Sequence, residues 1–499
     1  MIVVAPSHKG GYVNNVIKEL LDLKDLDNVV IVDVKVDDAS KTKTIVVEKV
    51  YTPMFCPECN ERMLSKGFYL RHVKHPVLDD GYQIIIELRQ RKFRCSNKEC
   101  NTYINEEFAF VERNKRTTYI TPLLVLKDLK DITITCAYVA RHRNVSETWV
   151  HLVVMSYLKF DRLPLPEILC IDEVYLNICK DARYCVVLRD FLTGDIIDIL
   201  PNRYEKTFEN YFLHIPRQER LKVKFIISDM YEPYLKMPEK YFNKAVSIID
   251  SFHVISWINN KINLYINEVK KKYQKIDDEK RKERNYKENK DFIKRKDLKE
   301  VYLLKNHRWV LLMNDENIDR NPIVYRFNQL GGYYSYRMIE EMFLALDPNF
   351  PLLKQLKDKY ISFNNNYLGK PDEAKVGLEA LIEEYKNSNY QMFKDFAEIL
   401  NKRKQEIVAS FTSIDTVPNQ DDIALEYRRM SNGPMEGFNR KPKDMKRLAR
   451  GYSNFDFVRN RILWAERKDA HILGSPIPIK AVRQRYKTKT KRGHYKKHK

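Results

Sequence analysis

Apolar positions along the chain change their period several times, and each change marks an element. Residues 12–50 open on an amphipathic helical pattern carried by Val16, Leu20 and Leu21 and pass into two strand-like runs, Val29 to Val36 and Thr44 to Val50. Gly81–Leu88 alternates as a strand, and Thr117 to about Leu158 is helical. Pro164 and Pro166 then interrupt the chain. Beyond them the strand period returns, at Glu167–Tyr175, at Tyr184–Asp190 and, after the turn Thr193-Gly194-Asp195, at Ile196–Leu200. A helix over 205–214, an apolar strand at Lys224–Asp229, a short helix near Tyr231 and a last strand at Ala245–Asp250 complete the series.

The order β-β-β-α-β-α-β places three antiparallel strands before parallel strands joined by helices. This is the α/β order of a ribonuclease-H-like catalytic domain, whose first part is expected over 165–254. Residues 255–425 lose the strand period and predict an all-helical insertion, including a charged run from Lys270 to Lys299 that reads as a solvated helical face. Residues 426–475 predict the final helices of the catalytic domain. Upstream, the expected parts are an N-terminal segment (1–50), a cysteine-bearing module (51–112) and a helical module (117–160). From 476 to 499 the chain predicts a basic, disordered tail: the last 20 residues hold ten Lys/Arg and no acid.

Charge sharpens the picture. The chain has 499 residues, 89 Lys+Arg against 68 Asp+Glu, and a formal net charge of +21. Such an excess favours a polyanionic partner, above all nucleic acid. A membrane is disfavoured, because no stretch approaches about 18 uninterrupted apolar residues. The start Met1-Ile2-Val3-Val4 has no basic region leading into an apolar segment, so no secretory signal is expected. Eight cysteines in this length do not make a disulfide scaffold, and a cytoplasmic home is expected.

Four of those cysteines form two close pairs, Cys56-Pro57-Glu58-Cys59 and Cys95 to Cys100, with 35 residues between them. Each pair can grip one ion from a single turn, and four thiolates complete a closed tetrahedron, so a structural Zn²⁺ in a zinc ribbon is expected. His72 and His75 are alternative ligands. Arg89, Arg91, Lys92 and Arg94, just ahead of the second pair, are candidates for phosphate contact. Cys136, Cys170, Cys179 and Cys185 have no ligand spacing.

Within the helical module, Ile132–Ala140 predicts a first helix, Arg143-Asn144-Val145 a tight turn, and Ser146 the cap of a second helix containing Thr148, Trp149 and Leu152. This is a helix-turn-helix pattern with the basic cluster Arg141, His142 and Arg143. Ser146, Glu147, Thr148 and His151 would face a DNA groove.

The carboxylates carry the chemistry. Asp172 lies in Leu169-Cys170-Ile171-Asp172, and Asp229 ends Phe225-Ile226-Ile227-Ser228-Asp229. An acid at the end of a core strand is costly unless it is paired or binds a cation. In the expected sheet the first and fourth strands are neighbours, so the two aspartates converge. Two-metal phosphoryl transfer needs such carboxylates to hold ions about 3.5–4 Å apart. Mg²⁺, or Mn²⁺, suits an all-oxygen site. A third acid, Glu436, sits in the first turn of a helix after Asn432-Gly433-Pro434, and Arg440, Lys443 and Arg447 follow at helical spacing as a phosphate-binding stripe.

Together these motifs resemble the bacterial insertion-sequence transposases of the ISL-three type. The resemblance spans nearly the whole chain. It rests on the cysteine pairs, the helix-turn-helix, Ile171-Asp172-Glu173, Ser228-Asp229-Met230, Asp250-Ser251-Phe252-His253-Val254, Asn432 through Asn439, and Lys446-Arg447-Leu448-Ala449-Arg450-Gly451-Tyr452. It implies an Asp-Asp-Glu triad of Asp172, Asp229 and Glu436 holding two Mg²⁺ ions. It adds Asp250 and His253 to the candidate catalytic set as supporting or substrate-positioning groups. The implied activity is cleavage and transfer of DNA strands in recombination of a mobile element. The partners would be the terminal inverted repeats and target DNA, with the chain acting as a dimer on DNA at the bacterial nucleoid. Pro442 stands where family members carry an aliphatic residue and predicts a kink after Glu436. A DNA-binding regulator derived from a transposase, and another ribonuclease-H-like nuclease, are the competing readings. Retention of all three acids argues against the first, and the ribbon and helix-turn-helix against the second.

Overall fold

The computed structural model of the chain describes residues 28–79, 81–179, 182–287, 298–412 and 429–485. The helix expected near Val16–Leu21 and the tail beyond Arg485 lie outside them. The fold is mixed α/β. The chain divides into two compact units, one of residues up to 162 with 174–185 and 439 onward, the other of residues 163–173 with 186–438.

The first unit opens with strands β1 (Val29–Asp37), β2 (Thr42–Lys49), β3 (Met63–Asp79), β4 (Tyr82–Cys95) and β5 (Tyr103–Asn105) in one sheet. Its order is β1-β2-β4-β3, with β5 also on β4. The segment ahead of residue 51 therefore shares a sheet with the cysteine region. The first half of β4 alternates: Ile84, Ile86 and Leu88 turn inward onto Val29, Ile45, Val47, Val73 and Phe110. β4 and its partner β3 run well beyond the Gly81–Leu88 strand, because the arginine-rich half of β4 is itself paired on both sides.

Helices α1 (Ile120–Asp128), α2 (Cys136–His142) and α3 (Glu147–Tyr157) follow. α2 starts four residues later than the apolar pattern suggests, because Thr135 caps it by accepting from Tyr138 N. Asn144 supplies the left-handed turn residue (φ 54°), and Ser146 caps α3 by accepting from Trp149 N.

A second sheet is built on strands β6 (Ile168–Cys179), β7 (Ala182–Asp190), β8 (Ile196–Leu200), β9 (Phe225–Ser228) and β10 (Val246–Ile249), in the order β10-β9-β6-β7-β8. β9 runs parallel to both β6 and β10, while β7 and β8 are antiparallel. Gly194 makes the β7–β8 turn at φ 74°, a conformation in which a side chain would be strained, and its carbonyl accepts from the Arg189 guanidinium. Helices α4 (Glu205–Phe212) and α5 (Glu232–Leu235) cover the sheet with Phe208, Phe212 and Tyr234.

From Asp250 the chain enters α6 (Ser251–Lys287), which buries Ile258, Ile262, Ile266 and Val269 at helical spacing in a separate core. Helices α7 (Tyr336–Leu344), α8 (Phe350–Asn366), α9 (Pro371–Lys386) and α10 (Gln391–Lys402) complete that core. The insertion is not all-helical, however. Strands β11 (Tyr325–Phe327) and β12 (Gly332–Tyr334) form a small hairpin, in which aromatic residues flank a glycine turn.

The chain then forms α11 (Gly433–Leu448), α12 (Phe455–Glu466) and α13 (Ile479–Arg485). α11 continues as helix through Pro442. Arg461 of α12 is fully buried in the first unit and donates to the carbonyls of Asp131 (2.6 Å), Ile134 (3.1 Å) and Leu129, tying the loop between α1 and α2. The expected tail is partly ordered. Ile477 N donates to Ser156 O at 2.8 Å and Val482 is buried, because the short apolar series Ile477, Ile479, Val482 packs the start of the tail against α3. Among the described residues no helix is long and apolar enough to cross a membrane.

Candidate active site

Three parallel strands carry the aspartates to one end of the second sheet. On β6 and β9, Cys170 stands opposite Ile227 as the last paired residues, and Asp172 and Asp229 each follow two residues further along. On β10 and β9, Ile249 stands opposite Ser228, so Asp250 falls in the same row. Asp250 N donates to Ser228 O at 3.1 Å and extends the ladder to that point. Neighbouring strands are about 4.8 Å apart, so Asp229 and Asp250, just past the ends of β9 and β10, stand beside Asp172, which lies on β6 just past its paired stretch with β9.

Each carboxylate is oriented by the backbone just beyond it. Asp172 accepts from Glu173 N at 2.7 Å, Asp229 from Tyr231 N at 2.9 Å and Asp250 from Phe252 N at 3.2 Å. Burial pushes the Asp172 carboxyl up to about 6, against the Glu173 N–H and His253, and with the help of the Asp229 and Glu173 charges. Burial also raises Asp250, opposed by the N–H of Phe252, by His253, by the N–H of Asn432 and by Arg429. His253, in the first turn of α6, thus acts on both acids. Hard oxygen donors in a row that is electrostatically unfavourable without a cation fit a divalent ion such as Mg²⁺.

Glu436 arrives by a different route. Asn432 Nδ2 donates to the carbonyl of Ile171 (3.1 Å), the residue before Asp172, and Asn432 N–H supports the Asp250 carboxylate. The Asn432 carbonyl in turn accepts from Met435 N (2.8 Å) and Glu436 N (3.2 Å) and so starts α11. The Glu436 side chain itself is exposed. It does not close with the aspartates into a compact group. Among the described residues, only Cys56, Cys59, Cys95 and Cys100 bring three or more ligand atoms within 4.8 Å of one another.

In that quartet Cys56 and Cys100 Sγ are 3.6 Å apart, and Cys59 and Cys95 Sγ are 3.4 Å apart. A zinc tetrahedron with bonds of about 2.3 Å has edges of about 3.8 Å. Against burial, the N–H groups of Cys59 and Glu58 draw the Cys56 thiol down to about 6, while Cys95 is pushed up by burial. The alternative ligands are engaged elsewhere: His72 Nε2 meets Glu87 at 2.9 Å, and His75 is buried beside Thr118.

A model of the ISL3-type DDE transposase family, described as a transposase, matches residues 169–462. The chain belongs to this family. It is 23% identical over 294 residues to the transposase for insertion sequence element IS1001 of Bordetella parapertussis. That alignment takes in 58% of this chain and 66% of the relative, just short of two thirds.

The family match begins three residues before Asp172 and contains Asp229, Asp250, His253, Glu436 and the stripe Arg440, Lys443, Arg447, all three exposed on α11. Arg447 also pairs with Asp444 at 3.2 Å. The cysteine quartet and the α2–α3 pair lie outside the match. On α3, Thr148 is exposed, Ser146 is engaged as the cap, and His151 stacks on Phe457 (centroids 4.2 Å), which leaves one ring face covered. Arg143 is tied to Asp128 by two hydrogen bonds of 2.7 Å, so the basic cluster ahead of α3 does not present it to a ligand.

Two groups escaped the sequence reading. Glu173 accepts from Arg203 Nη1 (2.9 and 3.0 Å) and Tyr234 OH (2.9 Å), and Arg203 lies over the Tyr231 ring at 4.9 Å. This bracket fixes the strand end beside Asp172 to the turn after Asp229. The signal for Glu173 was a second acid in an otherwise apolar strand. Asn432 is the other, and its signal was a helix-cap residue type ahead of Gly433-Pro434.

Proposed function

We propose that the chain is a DNA transposase that binds the terminal inverted repeats of an insertion sequence and cleaves and joins DNA strands through Asp172, Asp229 and Glu436. One observation carries the reading: Asp172 and Asp229 each lie two residues beyond Cys170 and Ile227, the last paired residues of two adjacent parallel strands, and Asn432 joins the start of the Glu436 helix to the residue before Asp172. The strand order β10-β9-β6-β7-β8, parallel on one side and antiparallel on the other, supports a ribonuclease-H-like catalytic domain.

In this proposal the aspartates and Glu436 hold two Mg²⁺ or Mn²⁺ ions, which when bound activate the attacking oxygen and stabilise the leaving one. Asp250 and His253 set the charge around Asp172. Glu173, Arg203 and Tyr234 keep the strand end and the following turn in fixed relation. Arg440, Lys443 and Arg447 meet phosphates. Thr148 reads bases from α3, with the α2–α3 pair as the helix-turn-helix. The four cysteines hold a structural Zn²⁺, and the tetrahedral-edge distances support that assignment.

The decisive experiment is strand transfer of a pre-cleaved end oligonucleotide into plasmid DNA with Mg²⁺. Asp172→Ala, Asp229→Ala and Glu436→Ala should each abolish transfer while leaving end binding intact. Wild-type transfer by any one of them removes that residue from the triad.

A further inference from the structure

The two faces of the first unit's sheet differ in how their cations are held. On β4, Arg91 is buried between Glu48 and Glu106, its Nη1 donates to Lys49 O at 2.7 Å, and Arg89 sits 3.4 Å from Glu48. Those two arginines are neutralised by the protein. Lys92 and Arg94, on the other face, are not held in this way. Arg94 stands in register with Leu64 of β3 on one side and Tyr103 of β5 on the other, and Lys92 stands opposite Asn105. Tyr69, opposite Gln90, belongs to the same face because side chains alternate along β4. No acid occupies these positions.

Tyr103 is 61% exposed, Leu64 49% and Tyr69 48%, an unusual amount of open ring and aliphatic surface for one end of a sheet. Each tyrosine has a cation beside it: Lys92 Nζ lies 5.6 Å from the Tyr69 ring centre, and the Arg94 guanidinium carbon 5.5 Å from that of Tyr103. The back of the same strands packs Met63, Phe93 and Ile104 against the cysteine quartet, so the platform is rigid. Exposed rings interleaved with cations that no ion pair holds among the described residues suit unpaired bases, whose faces are open to stacking. In a duplex those faces are hidden.

We propose that this face, formed by Leu64, Tyr69, Lys92, Arg94, Tyr103 and Asn105, binds single-stranded DNA. Bases stack on Tyr69 and Tyr103 while Lys92 and Arg94 meet the backbone. From strand spacing and rise the two rings are about 16 Å apart, the reach of a few nucleotides. The proposal deepens the transposase reading, which supplies DNA as the partner, but does not depend on Asp172, Asp229 or Glu436.

The test uses the full chain without divalent metal, so catalysis plays no part. A bromodeoxyuridine-substituted dT12 oligonucleotide is photo-crosslinked and the adducts are mapped by mass spectrometry. Affinity for dT12 and for a 12-base-pair duplex is measured by fluorescence anisotropy. Adducts are expected at Tyr69 and Tyr103. The double variant Tyr69→Ala, Tyr103→Ala should lose about tenfold or more in dT12 affinity and less than twofold for duplex. Tyr69→Phe with Tyr103→Phe should retain wild-type affinity. Equal losses for both DNAs, or adducts only elsewhere, would overturn the proposal. So would an oligomeric state that changes in the double variant without DNA, because a second copy would then cover the face. Failure to bind dT12 while end duplex is still bound overturns this proposal alone; failure to bind either DNA overturns the transposase reading with it.

Discussion

The cysteine quartet and the carboxylate row are both clusters of like ligands, yet the chain assembles them differently. The cysteines come from two turns flanking the ends of one pair of strands, 44 positions apart from first to last, and their sulfurs already stand at tetrahedral-edge distances. The acids run from Asp172 to Glu436, with a helical core between the second and the last. The aspartates are brought alongside one another by the pairing of parallel strands, one asparagine ties the start of the Glu436 helix to the residue before Asp172, and the acids remain open. Four thiols around one point leave no free position, as a structural site requires, whereas an open row leaves room for substrate oxygens. Local turns can pre-form a closed site; an open one depends on long-range pairing and is correspondingly easier to disturb.

The comparison is broken most severely at the row itself. Asp229→Ala should lower strand transfer by at least about a thousandfold, since in the proposed function Asp229 is one of the three acids that would hold the metal ions. Asp250→Ala, in the same register but tied to Asn432 and α6, should lower it by roughly ten- to a hundredfold, the range for a supporting group. Single-turnover transfer with saturating end DNA measures both, and equal losses would make Asp250 a ligand. For the quartet, Cys59→Ser should remove bound zinc, measured by elemental analysis, and lower the melting temperature of the first unit on the order of 10 °C. Full zinc content in that variant would detach the quartet from the metal.

Much of this was legible in the sequence, because the signals were local. Strands β6 to β10 followed from period-2 runs and glycine turns, and the ends of Leu169–Asp172 and Phe225–Asp229 showed acids where apolar residues stop. The quartet followed from the spacing of Cys56, Cys59, Cys95 and Cys100. What stayed hidden was pairing at a distance. Nothing near Arg91 announces that Glu48 and Glu106 neutralise it, and nothing near His151 announces Phe457. The hairpin β11–β12 was lost because three-residue strands are too short to show a period against helical surroundings.

A smaller effect sharpens the electrostatic side of the comparison. The Asp172 carboxyl is raised to about 6 in the folded chain by burial, above its value of about 3.9 in an unfolded one. The native state therefore binds the proton more tightly, and this group's stabilising contribution is present below about pH 4 and lost as pH rises through 6. Above pH 6 the ionised carboxylate destabilises the metal-free fold by roughly 3 kcal/mol at most. Asp172→Asn removes that cost, so the metal-free variant should melt higher than wild type at pH 7 and equally at pH 4. Mg²⁺ should raise the wild-type melting temperature and leave the variant unchanged. A wild type indifferent to Mg²⁺ at pH 7 would separate Asp172 from the metal.

The smallest expected effect belongs to Asn432, which links the start of α11 to β6. Its side chain is 3% exposed, and removing Nδ2 leaves the buried Ile171 carbonyl without its donor. An unsatisfied buried group of this kind costs about 1–3 kcal/mol. If the lower part of that range, about 1–2 kcal/mol, falls on the active arrangement, Asn432→Ala should slow strand transfer by roughly five- to thirtyfold. If the asparagine acts by holding Glu436 within reach of the metal, the loss should appear as a higher Mg²⁺ concentration at half-maximal rate, and excess Mg²⁺ should recover most of it. A purely structural role predicts a lower melting temperature with an unchanged Mg²⁺ midpoint. Asn432→Asp separates the two further. It keeps the size and the helix-starting backbone, but puts a carboxylate oxygen where a donor faced Ile171 O and adds negative charge beside Asp250, so it should be worse than alanine. An aspartate variant as active as wild type would show that the hydrogen bond to Ile171 does not position Glu436.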